Sequence, residues 1–216
     1  MFISKAHLVE VFFTKLAFNL KSEAAKTYLS YAWWLFEPVL TVAIYYVVFA
    51  VFLSTRTPDF VIFLVCGQIP FLWFSKSVTN SSGSIVAGRG LINQVSIPKP
   101  FFPMLVVFQD AFKQIIVFAA MFSFFVIYGM EVSWAWLSVV FVILSQLLFI
   151  VAITLLVAAI TPFLPDFKFL INTGMMGLMF GSGIFYDYKT TLLPEHQQLF
   201  LINPVANLSV WVLSWP

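Results

Sequence analysis

The sequence predicts an all-α, polytopic membrane helical bundle, and three observations carry that expectation. Of the 216 residues, 62% are hydrophobic and 9% are charged, whereas a soluble domain carries roughly 25% charged residues. The apolar residues gather into long runs, and a helix needs about 20 of them to cross a hydrocarbon core about 30 Å thick. The basic residues concentrate in alternate connections, as they do in loops kept on the cytoplasmic side. A formal charge of +2 is too small to mark a nucleic-acid surface, so no nucleic acid is expected as a partner. Cys66, the single cysteine, lies in an apolar run and can form no internal disulfide or zinc site.

The elements follow in order. Residues 1–30 do not read as a secretory signal, because Lys5, Glu10, Lys15, Lys21, Glu23 and Lys26 interrupt any apolar core. Leu8, Val9, Phe12, Phe13, Leu16 and Leu20 recur at three- and four-residue spacing instead, which predicts an amphipathic helix lying in the membrane interface. Such a helix serves either as a topology anchor or as a gate. A first span is expected over 33–53, with Glu37 and Pro38 near its start, and a second over 60–75, kinked or broken at Pro70. A third covers 101–128 and a fourth 134–160, anchored by Trp134 and Trp136 and ended by Thr161, Pro162 and Pro165. The fifth covers 169–186 and carries a small-xxx-small pair, Gly177 and Gly181. Gly181, Ser182 and Gly183 give its outer end the freedom to leave the helix. Residues 204–216 read as an incomplete sixth span, because twelve residues after Pro204 reach only about 18 Å as a helix.

Between the second and third spans lies a polar interruption rich in glycine and serine. No acidic residue occurs between Asp59 and Asp110, whereas Lys76, Arg89 and Lys99 are basic, so the segment 77–99 is expected in the cytoplasm. With the N-terminus on the same side, Lys5, Lys15, Lys21, Lys26 and Lys168 fall there too, leaving Arg56 and Lys189 outside. Ile85, Val86, Leu91, Ile92 and Val95 give this segment an apolar ridge suited to the groove of a partner.

The chain holds no catalytic constellation that the residues can support, and it is not expected to be an enzyme. His7 and His196 are expected on opposite sides of the membrane, so they share neither a metal nor a proton relay. No G-x-x-x-x-G-K-[ST] loop is present to cradle nucleotide phosphates. Asp110 and Lys113 stand three residues apart on one helix face, either as a structural ion pair or as a functional intramembrane pair. Tyr45, Phe49 and Phe52 share a face of the first span at i, i+4 and i+7. Flat rings of this kind suit lipid contact, helix packing or the C–H faces of sugars.

Three blocks of sequence resemble the membrane-spanning subunits of ABC-2 type polysaccharide exporters, the family of O-antigen (lipopolysaccharide), capsule and teichoic acid systems. Residues 21–40, KSEAAKTYLSYAWWLFEPVL, look like the family's basic stretch and Leu-Gly-x-x-Trp-x-x-x-x-Pro entry, with Ser30 in place of the glycine. Residues 66–98 are similar to its Gly-x-x-Pro-[FW]-x-x-[FW] and Asn-x-Leu-[IF]-x-x-x-x-[FI]-Pro stretches, with Gly90 in place of the asparagine. Residues 164–204 resemble its Arg-Asp segment, fifth helix, Pro-[IV]-[FV]-Tyr exit and Asn-Pro restart. There Pro165 and Gly183 replace arginine and proline, while Asp166, Ile184, Phe185, Tyr186, Asn203 and Pro204 keep register.

The resemblance implies a permease that carries an undecaprenyl-linked glycan across the bacterial inner membrane. It implies a homodimer served by two ATPase subunits, which bind the ATP and magnesium, so no cofactor is expected in this chain. The coupling helix for the ATPase would comprise Ser84, Ile85, Val86, Leu91, Ile92 and Val95, with the N-terminal helix as a gate at the cytoplasmic mouth. Tyr45, Phe49 and Phe180 correspond to channel-lining aromatics, and residues 187–203 to outer gate helices, with Tyr186, Asn203 and Pro204 at the gate. A drug or lipid permease of the same fold, and a membrane scaffold without transport, are the alternative readings.

Overall fold

The computed structural model describes residues 5–26, 28–53, 60–95, 97–130, 134 and 136–186, and every regular element among them is helical. Helix α1 runs Lys5–Ala25. A 3-10 turn at Ser30–Ala32 leads into α2, Trp33–Tyr46, which continues as a π-helical stretch over Val47–Phe52. Then come α3 Phe60–Ser82, two short helices α4 Ser84–Ala87 and α5 Arg89–Gln94, and the long α6 Phe101–Ile127. Helix α7 covers Trp136–Ile160 and α8 Phe167–Phe180.

Among the described residues, four helices are long and apolar enough to cross a membrane: Trp33–Phe52, Phe60–Ser82, Phe101–Ile127 and Trp136–Ile160. The chain is thus a multi-pass membrane protein. The third and fourth spans fall close to the expected bounds, and their ends have local causes. Pro103 sits in the first turn of α6, where its missing N–H has no partner to lose. Gly129, at φ 99°, turns the chain after it. Thr161 and Pro162 close α7, with Thr161 Oγ1 donating back to Val157 O at 2.9 Å.

Other boundaries differ from the sequence reading. Pro70 does not end the second helix, which runs on to Ser82 and so includes Lys76 and the first turns of the polar interruption. Gln146 of α7, itself buried, donates its Nε2 to the Pro70 carbonyl at 2.7 Å, which ties α7 to α3 at that point. Pro38 lies inside α2 rather than in its first turn, because the helix already starts at Trp33. The fifth apolar helix, α8, has 14 residues, about 21 Å at 1.5 Å per residue and short of the hydrocarbon thickness. It stops where Gly181, Ser182 and Gly183 leave the helix, Gly183 at φ 67°. Of the small-residue pair, Gly177 faces open space, since a Cβ there would touch nothing within 4 Å.

α3 is the central post, with α2, α6, α7 and α8 packed around it. Its buried side chains Leu64, Phe71, Trp73, Phe74 and Val78 form the main core with Val117, Phe118 and Met121 of α6, and Ile150 and Val157 of α7. A second, smaller core lies beside it. Leu8, Val11, Phe12 and Leu16 on one stripe of α1 rest on Ile97, Phe101, Phe102 and Leu105. The neighbouring stripe, Val9 and Phe13, is exposed, so α1 presents apolar side chains both to the bundle and away from it, as an interfacial helix does.

Candidate functional site

The three expected channel aromatics converge on a fourth ring that sequence reasoning did not single out. After α8 the chain doubles back and inserts Ile184 and Phe185, 0% and 2% exposed, between α2 and α3. Phe185 stacks on Phe49 with ring centroids 4.6 Å apart and planes 6° apart. It also meets Tyr45 at 4.7 Å and Phe180 at 5.5 Å. Tyr45 Oη donates to Met179 Sδ at 3.4 Å, and Tyr186 Oη donates to the Phe180 carbonyl at 3.1 Å.

Gly67 makes room for the insertion: a Cβ there would stand 3.2 Å from Ile184 Cγ2. Phe52 does not join Tyr45 and Phe49, and its ring is exposed. The π-helical turn explains this, because Leu53 N–H bonds to Val48 O, five residues back. That wider turn rotates Phe52 away from the face that ideal 3.6-residue periodicity assigns it. The signal for Phe185 was present in the Ile184-Phe185-Tyr186 block, but its inward return depends on the bend at Gly183. Asn203, Pro204 and the whole of 187–203 lie outside the described residues, as do Arg56, Lys189 and His196.

The expected coupling helix is two short helices hinged at Gly88. Ile85, Leu91, Ile92 and Val95 are partly buried and pack on the Ile97, Phe101, Phe102 and Leu105 cluster. Ser84 is also partly buried, and Val86 is exposed together with Ala87, Arg89, Gly90, Asn93 and Gln94. The apolar ridge therefore holds the segment to the chain's own bundle, and a mixed polar face is what it offers outward. Gly88 is required by closeness, because a Cβ on it would lie 2.4 Å from two atoms of the buried Phe102 ring.

Charged groups meet where α1, α2, α3 and α6 come together. Lys113 Nζ lies 2.8 Å from Asp110 Oδ1 and 3.1 Å from Glu23 Oε1. Asn80 Nδ2 donates to Asp110 Oδ2 at 3.2 Å, and Gln109 Nε2 donates to Glu23 Oε2 at 2.6 Å. Lys76 pairs with Glu37 at 2.6 Å. The spacing of Asp110 and Lys113 was legible as an ion pair. Glu23, 90 residues away, could enter only through the tertiary fold.

No protein-family model matches the chain. Sequence comparison nevertheless finds curated relatives over most of its length. It is 26% identical over 199 residues to an O-antigen export system permease protein RfbA of Klebsiella pneumoniae, covering 91% of this chain and 75% of that protein. It is also 26% identical over 191 residues to an O-antigen export system permease protein RfbA of Myxococcus xanthus, covering 88% and 74%. The chain is similar to permease proteins of O-antigen export systems. The shared region takes in nearly all the described bundle. For a permease the informative parts are thus the aromatic cluster at Phe185, the α4–α5 segment and the charged junction under α1.

Proposed function

We propose that this chain is the membrane-spanning permease subunit of an ABC exporter that moves lipid-linked polysaccharide across the bacterial inner membrane, with a separate ATPase as its motor. It carries out no bond chemistry of its own. The observation that carries the reading is similarity to O-antigen export permeases along nine-tenths of the chain, joined to four membrane-length helices. In the proposed assembly two copies pair and two ATPase subunits, which hold ATP and magnesium, sit beneath them. The N-terminus and the α4–α5 segment face the cytoplasm, and α1 lies along that interface as a gate helix. The substrate is an undecaprenyl-linked glycan, and Tyr45, Phe49 and Phe180 offer it ring faces along which C–H surfaces slide. Exposed Gly177 and its exposed neighbours on α8 support a packing surface toward the second copy.

The geometry refines how docking is tested. Leu91 and Ile92 are shared with the internal cluster, so aspartate there would unsettle the fold as well as any interface. Val86 and Arg89 are exposed. A Val86→Asp, Arg89→Glu double variant is expected to keep its membrane level and lose copurification of the ATPase. Undiminished assembly and glycan export would refute the docking assignment.

A further inference from the structure

Helix α1 is joined to α6 by two chemically different attachments. Toward its start, Phe12 meets Phe101 and Phe108 edge-on, with ring centroids 5.5 Å away in each case. Toward its finish the contacts are polar. Asn19 Nδ2 donates to Gln109 Oε1 at 3.4 Å, Gln109 Nε2 donates to Glu23 Oε2 at 2.6 Å, and Lys113 Nζ donates to the two Glu23 oxygens at 3.1 and 3.2 Å. Of the described side chains of α1 only Ala24 is buried, and a methyl contributes little apolar area to hold a helix down.

The charges are arranged so that this polar end can leave. Asp110 Oδ1 lies 2.8 Å from Lys113 Nζ, and Asn80 Nδ2 donates to the other Asp110 oxygen. Glu37 pairs with Lys76 between α2 and α3. Without α1 the junction therefore keeps two carboxylates, Asp110 and Glu37, against two ammonium groups, Lys113 and Lys76. Withdrawal of Glu23 strands no buried charge, and a stranded charge is what makes breaking a buried ion pair costly. Glu23 is itself 41% exposed as a side chain and passes to water, where a contact of this kind is weak and screened by salt.

The same carboxylate closes a cavity. Among the residues lining a space of about 260 Å³ between α2, α3 and α6, Glu23 alone belongs to α1. Trp33, Leu72 and Gln114 form other parts of its wall. The connection that follows α1 carries exposed Ala25, Lys26, Tyr28 and Leu29, so it has room to follow a movement of the helix end.

We propose that Glu23 is a release catch: when its contacts with Gln109 and Lys113 break, the end of α1 lifts from α6 and opens the polar cavity to water, while Asp110 keeps Lys113 paired. The rings around Phe12 act as the pivot, and the exposed connection supplies the slack. The purpose of the catch rests on the reading of α1 as a gate helix, whereas its mechanics rest on the contacts of this chain alone.

The test uses the full chain in lipid nanodiscs, with Leu72→Cys as a reporter in the cavity wall and a water-soluble maleimide as the probe. The parent chain, whose thiol is the buried Cys66, gives the background to subtract. Adding Glu23→Ala to the reporter is expected to raise the labelling rate about fivefold. High salt is expected to raise the rate of the reporter alone about twofold and to leave the Glu23→Ala form unmoved, because the screened contact is already gone. Glu10→Ala, on the same helix with its side chain 77% exposed, should label like the reporter alone.

Unchanged labelling in Glu23→Ala overturns the proposal, and so does an equal rise in Glu10→Ala, which would assign the effect to a general loosening of α1. Salt that acts alike with and without Glu23 overturns it as well. Glycan export in cells is read separately. Faster labelling with undiminished export would support the catch and remove the gate role of α1, whereas flat labelling sinks the catch whatever happens to export.

Discussion

Replacing Lys113 with methionine isolates the energetics of the charged junction. Lys113 and Asp110 are 18% and 7% exposed as side chains, and Glu23 is 41% exposed. Removing the lysine strands Asp110 as a buried carboxylate, and breaking a buried pair in that way costs about 3–5 kcal/mol. The Asn80 amide still donates to Asp110 at 3.2 Å, which places the expected loss near the lower end, about 3 kcal/mol. Glu23→Gln removes only the arm open to solvent, where screening leaves about 0–1 kcal/mol.

Because most of the first loss is an uncompensated charge, Lys113→Met combined with Asp110→Asn should recover much of it, leaving about 1 kcal/mol. Unfolding in mixed micelles, followed by tryptophan fluorescence, measures the wild type, the single variants Lys113→Met, Glu23→Gln and Asp110→Asn, and the double variant. A Lys113→Met loss no greater than that of Glu23→Gln, or Lys113→Met and Asp110→Asn losses that simply add in the double variant, would refute a stranded buried charge at Asp110. Glu23→Gln should also speed hydrogen exchange at the end of α1, since the link to α6 near Ala25 would be weakened.

Three further outcomes follow from particular contacts. Gly88→Ala forces a methyl toward the Phe102 ring and should cost about 1–3 kcal/mol by overpacking, while lowering glycan export in cells by displacing the α4–α5 segment. Gly67→Ala brings a methyl to 3.2 Å from fully buried Ile184. It should destabilise by about 1–2 kcal/mol and make a cysteine at Phe185 newly reactive to a water-soluble maleimide. Phe185→Ala removes the ring on which Tyr45, Phe49 and Phe180 converge and should cost about 3–5 kcal/mol in the same micellar unfolding assay. Phe185→Leu should cost less, because it keeps most of the volume.

The legible parts of this fold were those with a local cause. Long apolar runs located α6 and α7 because hydrocarbon thickness dictates helix length, and the three-four periodicity of Leu8, Phe12 and Leu16 announced the stripe of α1 that is partly buried. Of the kink or break expected at Pro70, the break does not occur, because a helix packed against several neighbours, as α3 is, can carry a proline within its hydrogen-bond ladder. The polar character of residues 76–82 misled for a related reason. Lys76 finds Glu37 and Ser77, Ser81 and Ser82 are buried, so these residues belong to the bundle end of a helix and not to a free loop. Of the candidate sites, Tyr45, Phe49 and Phe180 were placed on the right helices, but their common neighbour Phe185 arrives through a reversal that no periodicity encodes.

Composition, run length and the order of motifs were enough to predict a multi-pass helical membrane protein that resembles polysaccharide-export permeases, since each of these depends on local residue chemistry and on the bilayer. The tertiary structure decided which side chains face one another. It turned the expected docking ridge inward onto Phe101 and Phe102, brought Glu23 to Lys113 across 90 residues, and set an apolar groove beside a polar pocket that shares Pro38, Ile69 and Val117 with it. Those outcomes depend on the packing of helices distant in sequence, where a proline, a π turn or a glycine with positive φ redirects every side chain that follows it.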